Sequence, residues 1–472
     1  MPGSDVPTTP ATPVPNPPEQ PALKRVMGPG LLLLFIVGDI LGTGIYALTG
    51  QVAGEVGGAA WLPFAVAFTV ALITACSYLE LVTKYPQAAG AALYVHKAFG
   101  LHFLTFLVCF AVMCSGITSA SAASRAFAAN LAVGFGFDAG DGLILLMALG
   151  FMGLVLLVNL RGVAESVKVN VVLTVVELTG LLLVILVSLF FIAGGDADFS
   201  RVVAFETASD KNAFLAVSTA TSLAFFAMVG FEDSVNMAEE TKDPARTFPR
   251  MMFAGLGITG AIYVLVSICA VAVVPVGRLA ASETPLATVV QTAAPDFPVA
   301  DLLPFISLFA VANSALINML MASRLLYGMG RQGVLPPFLA TVHPVRRTPR
   351  AAILLTTGIA VGLITFVSLN PDSSVVALLG GTTSLLLLTV FAGVHLAVLV
   401  LRRDTVAAPH FRAGRVLPVV GMVACLYLVL PWSSGRPGEQ YRIAGVLLLI
   451  GVVLWVVTWF TRRRKPYPPL ER

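Results

Sequence analysis

The stretch Gly38–Gly50, GDILGTGIYALTG, is the most unusual part of the chain, and the fold turns on it. It lies in an apolar segment running from about 28 to 50. That is long enough to cross a bilayer, which takes roughly 20 residues. At its centre stand an acid, Asp39, and the run Gly42-Thr43-Gly44. Glycine weakens a continuous helix, and a charge at bilayer depth is tolerated only where it faces protein or water. A spanning helix interrupted here would free backbone N–H and C=O groups, which can hold a ligand if lipid is kept away. The stretch therefore predicts a half-helix break that binds something polar.

Composition fits a membrane protein. Of the 472 residues, 57% are hydrophobic and 11% charged, against roughly 25% charged in a typical soluble domain. The net charge of +4 is small, and nothing resembles a nucleic-acid binder. The five cysteines, Cys76, Cys109, Cys114, Cys269 and Cys425, lie in apolar segments without a CxxC pair and read as small core residues. Residues 1–23 are rich in Pro, Thr and Ala with no periodicity, and are expected to be a disordered tail rather than a signal peptide. A second short tail is expected at 466–472, with a single membrane domain at 24–465 between them.

Twelve spanning segments are predicted, at about 28–50, 58–82, 98–130, 141–160, 168–193, 213–238, 250–275, 300–330, 351–369, 374–401, 416–432 and 442–461. Lys and Arg residues set the orientation. With the N-terminus inside, almost all of the 29 fall in cytoplasmic loops or tails, from Lys24 and Arg25 to Arg462-Arg463-Arg464-Lys465 and Arg472. Only Arg201, Lys211, Arg278, Arg436 and Arg442 fall outside, and Arg125 and Arg324 fall within helices. The expectation is a multi-pass protein of the cell membrane with both termini cytoplasmic.

A second interruption comes five segments after the first. The sixth segment contains MVGFED, with Gly230 followed at once by Glu232 and Asp233. Two polar-interrupted helices at matching positions of a five-helix unit point to an inverted-repeat transporter. The odd offset gives the two halves opposite topology. The expected repeats span about 28–193 and 213–401, with extra helices over 416–461.

Five stretches carry a family resemblance: GTGIY in helix 1, ELVTKYPQAAGAALYVHKAFG (Glu80–Gly100), GFE in helix 6, AEETKDPARTFPR (Ala238–Arg250) and SRLLYGMGRQGVLP (Ser323–Pro336). They fall in order at the right spacing, and the chain from about Leu23 to Arg464 resembles the amino acid–polyamine–organocation permeases. The resemblance implies an all-α, LeuT-like fold: two inverted five-helix repeats, helices 1–5 and 6–10, with helices 1 and 6 discontinuous, then helices 11 and 12.

Helix physics supplies a site for a zwitterion. The outer half of helix 1 would present Thr43, Gly44 and Ile45 N–H groups and a positive dipole end to a carboxylate. Carbonyls near Ile40 and Leu41, and near Ala227, Met228 and Val229, would suit an ammonium. Gly42 and Gly230 are the break points, and the resemblance places the substrate's backbone groups at these same positions. Phe231 is expected to be an aromatic lid or a packing residue, and Glu232 to bond the break. Met113, Ser115 and Thr118 on helix 3, with Asn313 and Asn318 on helix 8, are candidates for selectivity or for helix contacts. Asp233 is an additional acid that keeps cationic amino acids and polyamines in view.

Helix 5 departs from the family pattern. Proton-coupled members often carry a lysine twelve residues after the glutamate of an ES pair, and here that position, counted from Glu165, is Glu177. Both Glu177 and Asp39 should lie roughly 16 Å in from the cytoplasmic ends of their helices at 1.5 Å per residue. Ionisable groups at that depth are usually functional. A Glu177 that takes a proton outside and releases it inside would change the charge beside the moving helix 1, so the two acids are assigned to proton coupling. Sodium, or no coupling ion, remains the alternative.

Other polar residues read as structural. Glu80, Lys84, Glu239, Glu240 and Arg246 are expected to form an inner gate by ion pairing or to sit in solvated loops, and Pro244 and Pro249 to separate helices 6 and 7. Arg125 should bond extracellular loops or snorkel, and His395 should be a packed histidine. No Ser/His/Asp spacing, P-loop or metal cluster suggests an enzyme, a pump, a cofactor or a metal site. The sequence therefore points to a secondary transporter of amino acids. A polyamine or other organic-cation carrier, an exchanger and a binding-only sensor are the rivals.

Overall fold

Two helices in the chain stop and restart in the middle of the apolar bundle. The computed structural model describes residues 25–462 apart from 26, 88–89, 137, 162–165, 196, 208–211, 296–298, 332–333, 344–345, 347, 370–373 and 407. The tails expected at 1–23 and 466–472 lie outside these residues, as do Lys24, Glu165, Lys211, Arg347, Arg463, Arg464 and Lys465. So do the parts of the quoted motifs at 88–89 and 332–333.

The first span is built of α1 (Pro29–Ile40) and α2 (Thr43–Val56), bent by 41° at the break. There follow α3 (Trp61–Lys84), α4 (Gly90–Phe99), α5 (His102–Gly134), α6 (Asp141–Arg161), α7 (Ser166–Ala193) and the one-turn α8 (Ser200–Val203). The sixth span is α9 (Ala213–Ala224), a tighter 3-10 turn over Phe225–Met228, an unwound stretch, and a second such turn over Asp233–Met237. Then come α10 (Pro244–Val273), α11 (Val276–Ala280), α12 (Pro285–Ala293) and α13 (Val299–Arg331). The chain closes with α14 (Arg350–Ser368), α15 (Val375–Leu401), α16 (Leu417–Val429), α17 (Pro431–Ser434) and α18 (Gly438–Arg462). Among the described residues, ten helices are long and apolar enough to span a membrane, and the bent α1–α2 pair makes an eleventh. The shorter apolar α16 completes the twelve positions. The protein is an all-α multi-pass membrane protein.

Helix packing repeats with an offset of five spans. The second span packs on the seventh (α3 on α10), the third on the eighth (α5 on α13) and the fourth on the ninth (α6 on α14). Cross-pairs come in matched sets. α1 lies on α10 as α9 lies on α3, and α1 on α7 as α9 on α15. The fifth span meets the eighth (α7 on α13), and the tenth meets the third (α15 on α5). Such reciprocity is what two inverted five-helix units require. α16 packs outside them on α3 and α15, and α18 on α5 and α15.

Several boundaries follow from local chemistry. Pro29 and Pro244 occupy first-turn positions, where a missing N–H costs nothing. Asn212 caps α9 by accepting from Leu215 N (2.8 Å), and Ser374 caps α15 by accepting from Ala377 N (3.4 Å). Three expectations need correction. The third span does not begin at 98, because Gly100 takes φ +63° and splits that region into α4 and α5. Pro249 is carried inside α10, so Pro244 alone marks the boundary there. The expected inner gate also has different partners. Arg402 grips both carboxylate oxygens of Glu80 (2.9 and 2.8 Å), which hold the guanidinium above its ordinary pKa, while Lys84 donates to the Leu401 and Asp404 carbonyls. Arg246 pairs with Asp243.

At the other end of the bundle, Arg125 on α5 binds Asp141 (2.9 Å) and Glu283 (2.8 Å), tying the loop before α12 to α6. His395 is buried on α15 between Ser77 (2.8 Å) and Thr74 (3.2 Å) of α3.

Candidate functional site

The two breaks face each other. α1 ends at Ile40, Leu41 is extended, and Gly42 takes φ +155°, a conformation open in practice to glycine alone, before α2 starts at Thr43. The first N–H groups of α2 have no intrahelical partner, and no side-chain cap takes them up. In the sixth span Val229 is extended and Gly230 takes φ +125°. A side chain at Gly230 would lie 2.5 Å from the Asp39 carbonyl oxygen, and one at Gly44 would lie 2.4 Å from Ala227 Cα. Glycine at these two positions lets the broken helices touch. The Glu232 carboxylate folds back to accept from Gly230 N (2.9 Å), and the Gly230 carbonyl accepts from Asp233 N (3.0 Å).

A small cleft of about 30 Å³ lies between the breaks. That is room for about two waters, so the breaks stand nearly closed on each other. Asp39, Ile40, Leu41, Gly42, Thr43 and Gly44 line it from the first span, and Val229 and Gly230 from the sixth. Phe226, Asp233, Ser119, Ser314 and Asn318 complete it. The Thr43 hydroxyl is buried on this cleft with no hydrogen-bond partner among the described residues. The Ile40 carbonyl accepts from the Tyr263 hydroxyl (2.7 Å), which leaves one of its two lone pairs.

Two further clefts lead away from the first. The second, about 20 Å³, shares Val229, Asp233 and Asn318 with it and adds Glu232, Ser115 and an apolar wall. The third shares Glu232, Asp233, Val112 and Leu325 with the second and reaches Gly90 and Asn236, at the end of the bundle that carries Glu80 and Arg402. No Lys, Arg or His lines any of the three. A separate, wider cleft at the opposite end is lined by Gln51, Glu55, Thr219, Ser222, Arg436 and Gln440 and shares no residue with the first.

Glu177 sits behind the break rather than in the cleft. It is fully buried on α7, and Tyr46 Oη donates to its backbone carbonyl (3.0 Å). A Cβ at Gly42 would be 4.0 Å from Glu177 Oε1. Gly38 lets α1 approach this helix closely, since a Cβ there would lie 1.7 Å from Thr174 Oγ1. Neither carboxylate oxygen of Glu177, nor Asp39 Oδ2, has a hydrogen-bond partner among the described residues. Nor does either acid form an ion pair there.

The remaining candidates lie off the clefts. Ile45, in the first turn of α2, and Ala227 and Met228, in the turn Phe225–Met228, are buried and do not line the cleft. Met113 is buried in the core of α5. Thr118 is bonded to Thr383 (2.7 Å) and to the Cys114 and Ser115 carbonyls. Phe231 is packed against Tyr78 and Phe391, with ring centroids 6.0 and 5.6 Å away, while Phe226 takes the place beside the cleft. Asn313 is buried with its amide nitrogen unpartnered. Ser119, Ser314 and Phe226 escaped the sequence reading. Helical spacing contained the signal for two of them, because Ser119 follows Ser115 by four residues and Ser314 precedes Asn318 by four, which puts each pair on one face.

Comparison with known proteins gives the family. The chain matches the amino acid permease family model over residues 31–460. It is similar to the branched-chain amino acid permease of Bacillus subtilis, with 26% identity covering 94% of each protein. It is also similar to the chloroplastic cationic amino acid transporter 9 of Arabidopsis thaliana, with 29% identity over 70% of this chain and 61% of that one. The methylthioribose transporter of Bacillus subtilis is 26% identical over 92% of both. With a family match spanning nearly all of its helices, this chain belongs to the amino acid permease family.

Proposed function

We propose that this protein is a secondary active transporter that carries amino acids across the cell membrane in symport with protons, with both termini cytoplasmic. The observation that carries the proposal is the meeting of two interrupted helices at one cleft. Free N–H groups and a positive dipole end at Thr43–Gly44 suit a carboxylate, and extended backbone at Leu41 and Val229 offers carbonyls to an ammonium. A molecule carrying both charges on one carbon offers a partner to both sets of groups. The relatives' names, which include branched-chain and cationic amino acid carriers, support the substrate class.

Glu177 and Asp39 support proton coupling. A buried carboxylate needs hydrogen bonds or a counter-charge, and the surrounding side chains supply neither to Glu177. A transported proton does. Because Glu177 lies on α7 beside the hinge at Gly42, gain or loss of that proton changes the electrostatics of the element that must move. Uptake into proteoliposomes driven by a pH gradient alone, with a sodium gradient as the parallel arm, tests this. The wild type should accumulate substrate only with the pH gradient, and Glu177→Gln should lose accumulation while retaining exchange. Unchanged gradient dependence in Glu177→Gln removes Glu177 from coupling, and accumulation driven by sodium replaces the proton.

A further inference from the structure

The loop between α15 and α16, residues 402–416, is bonded at both of its ends to the end of α3. Arg402 holds Glu80, and its guanidinium also donates to the Ala413 carbonyl (2.9 Å). Glu80 accepts from Ala413 N (2.9 Å), and Thr83 Oγ1 accepts from Phe411 N (2.9 Å). Asp404 is the only acid of the loop, and its carboxylate accepts from the Tyr85 hydroxyl. The Phe411 ring packs on Phe253 of α10, with centroids 5.8 Å apart. Three of the loop's four arginines keep their side chains out of this fastening. Arg403, Arg412 and Arg415 are exposed, and none forms an ion pair among the described residues.

The helix that follows is short for a membrane span. α16 has 13 residues. At 1.5 Å per residue it is ~20 Å long, against the roughly 30 Å of a bilayer's hydrocarbon core. Such a span thins the bilayer or draws its flanking residues inward, and either brings Arg412 and Arg415 to the depth of the lipid phosphates. Directly beyond them α16 exposes Val416, Val419, Val420, Val423 and Leu426, while Pro418, Gly421 and Cys425 are buried. Unpaired cations at phosphate depth thus stand at the head of an apolar stripe.

We propose that this loop is a binding site for an anionic phospholipid, whose phosphate is held by Arg403, Arg412 and Arg415 and whose acyl chains lie along the exposed face of α16. A guanidinium matches a phosphate with two parallel N–H donors, and a headgroup with net negative charge is favoured over a zwitterionic one beside three cations. The fastening carries the effect inward. A bound headgroup braces the loop, the loop is bonded to Glu80 and Thr83, and Tyr78 on the same helix lines the third cleft. The site requires that the chain span a membrane and does not depend on the substrate or the coupling ion.

The test is lipid retention by the purified full chain, read by native mass spectrometry after incubation with phosphatidylglycerol or phosphatidylcholine. The wild type should retain phosphatidylglycerol about tenfold better. Arg412→Gln with Arg415→Gln should remove most of that preference, lysine at both positions should keep part of it, and Arg278→Gln at the opposite end should change nothing. Melting temperature in lipid-free detergent separates lost binding from lost folding. Equal retention of the two lipids by the wild type overturns the proposal, as does full preference in the folded glutamine pair. Displacement of phosphatidylglycerol by millimolar inorganic phosphate makes this a soluble-anion site and overturns it too. In proteoliposomes, uptake by the wild type should rise severalfold when phosphatidylglycerol replaces part of the phosphatidylcholine, and uptake by the glutamine pair should not. An equal rise in both means that the bound lipid does not brace α3. Retention is read without substrate, so it can fail while the carrier stands, and the carrier can fail while the lipid site stands.

Discussion

At Gly42 a single hydrogen atom decides whether the break can exist. Its φ of +155° belongs to a region that costs other residues roughly 1–3 kcal/mol. A Cβ there would also stand 2.2 Å from Ser314 Oγ, a group that lines the cleft. Gly42→Ala should therefore cut amino acid uptake by about tenfold or more, whereas Gly30→Ala, on the same span with open space around it, should leave uptake intact. Pairing Gly42→Ala with Ser314→Gly removes the clash but not the backbone strain, so it should recover only part of the loss. Full activity in Gly42→Ala would mean that the break is not needed for transport. The same logic explains Glu232: its acid is spent on Gly230 N, which otherwise would be an orphaned buried donor in the unwound stretch.

Among the elements, the loop between α17 and α18 matters beyond its length. Arg436 is buried there, and all five of its N–H groups are taken. They go to the carbonyls of Leu428 (2.8 Å), Gly381 (2.7 Å) and Ser222 (3.3 Å), to Gln440 Oε1 (2.9 Å) and to Ser384 Oγ (2.9 Å). One guanidinium thus fastens α9, α15, α16 and α18 together beside the wide cleft. Lysine keeps the charge but brings three donors from one point. Arg436→Lys should destabilise the purified protein by on the order of 2 kcal/mol or more, read as a lower melting temperature in detergent, because several carbonyls lose their donor. An unchanged melting temperature would show that the carbonyls find other donors.

This bond set also marks where sequence reading stops. Charge bias placed Arg436 correctly in a loop between spans, but a lone arginine there looks like any loop arginine until tertiary packing brings Ser222 and Gly381 to it. The breaks at Gly42 and Gly230 were legible because glycine beside an acid within an apolar run is a local signal. Phe231 was not, because its ring turns towards Tyr78 and Phe391 only through the twist of the unwound stretch, which also delivers Phe226 to the cleft. Glu177 was legible from depth and position on its helix, yet its place behind Gly42 depends on how closely Gly38 lets α1 approach α7.

Across the whole molecule, the proposed carrier function makes the clefts one conformation of an alternating cycle. The site between the breaks continues through the second and third clefts towards the end of the bundle bearing Glu80 and Arg402, while the wide cleft at the other end is separate from it. The contact of Gly44 with Ala227 closes the helices on that other side. One native thiol reports on this asymmetry. Cys76, Cys114, Cys269 and Cys425 are buried, whereas Cys109 is half-buried and lines the third cleft. A small, membrane-impermeant methanethiosulfonate reagent should therefore label Cys109 from the cytoplasmic face of oriented vesicles about tenfold faster than from the external face. Substrate that drives the carrier outward should slow this labelling, because closing the third cleft brings α4 and the Asp233–Met237 turn together over the thiol. The same substrate should speed labelling of a cysteine placed at Thr219 in the wide cleft. If Cys109 labels equally from both faces, or substrate moves both sites in the same direction, the three clefts are not a path with one open end and the inverted repeats do not rock about the site between the breaks.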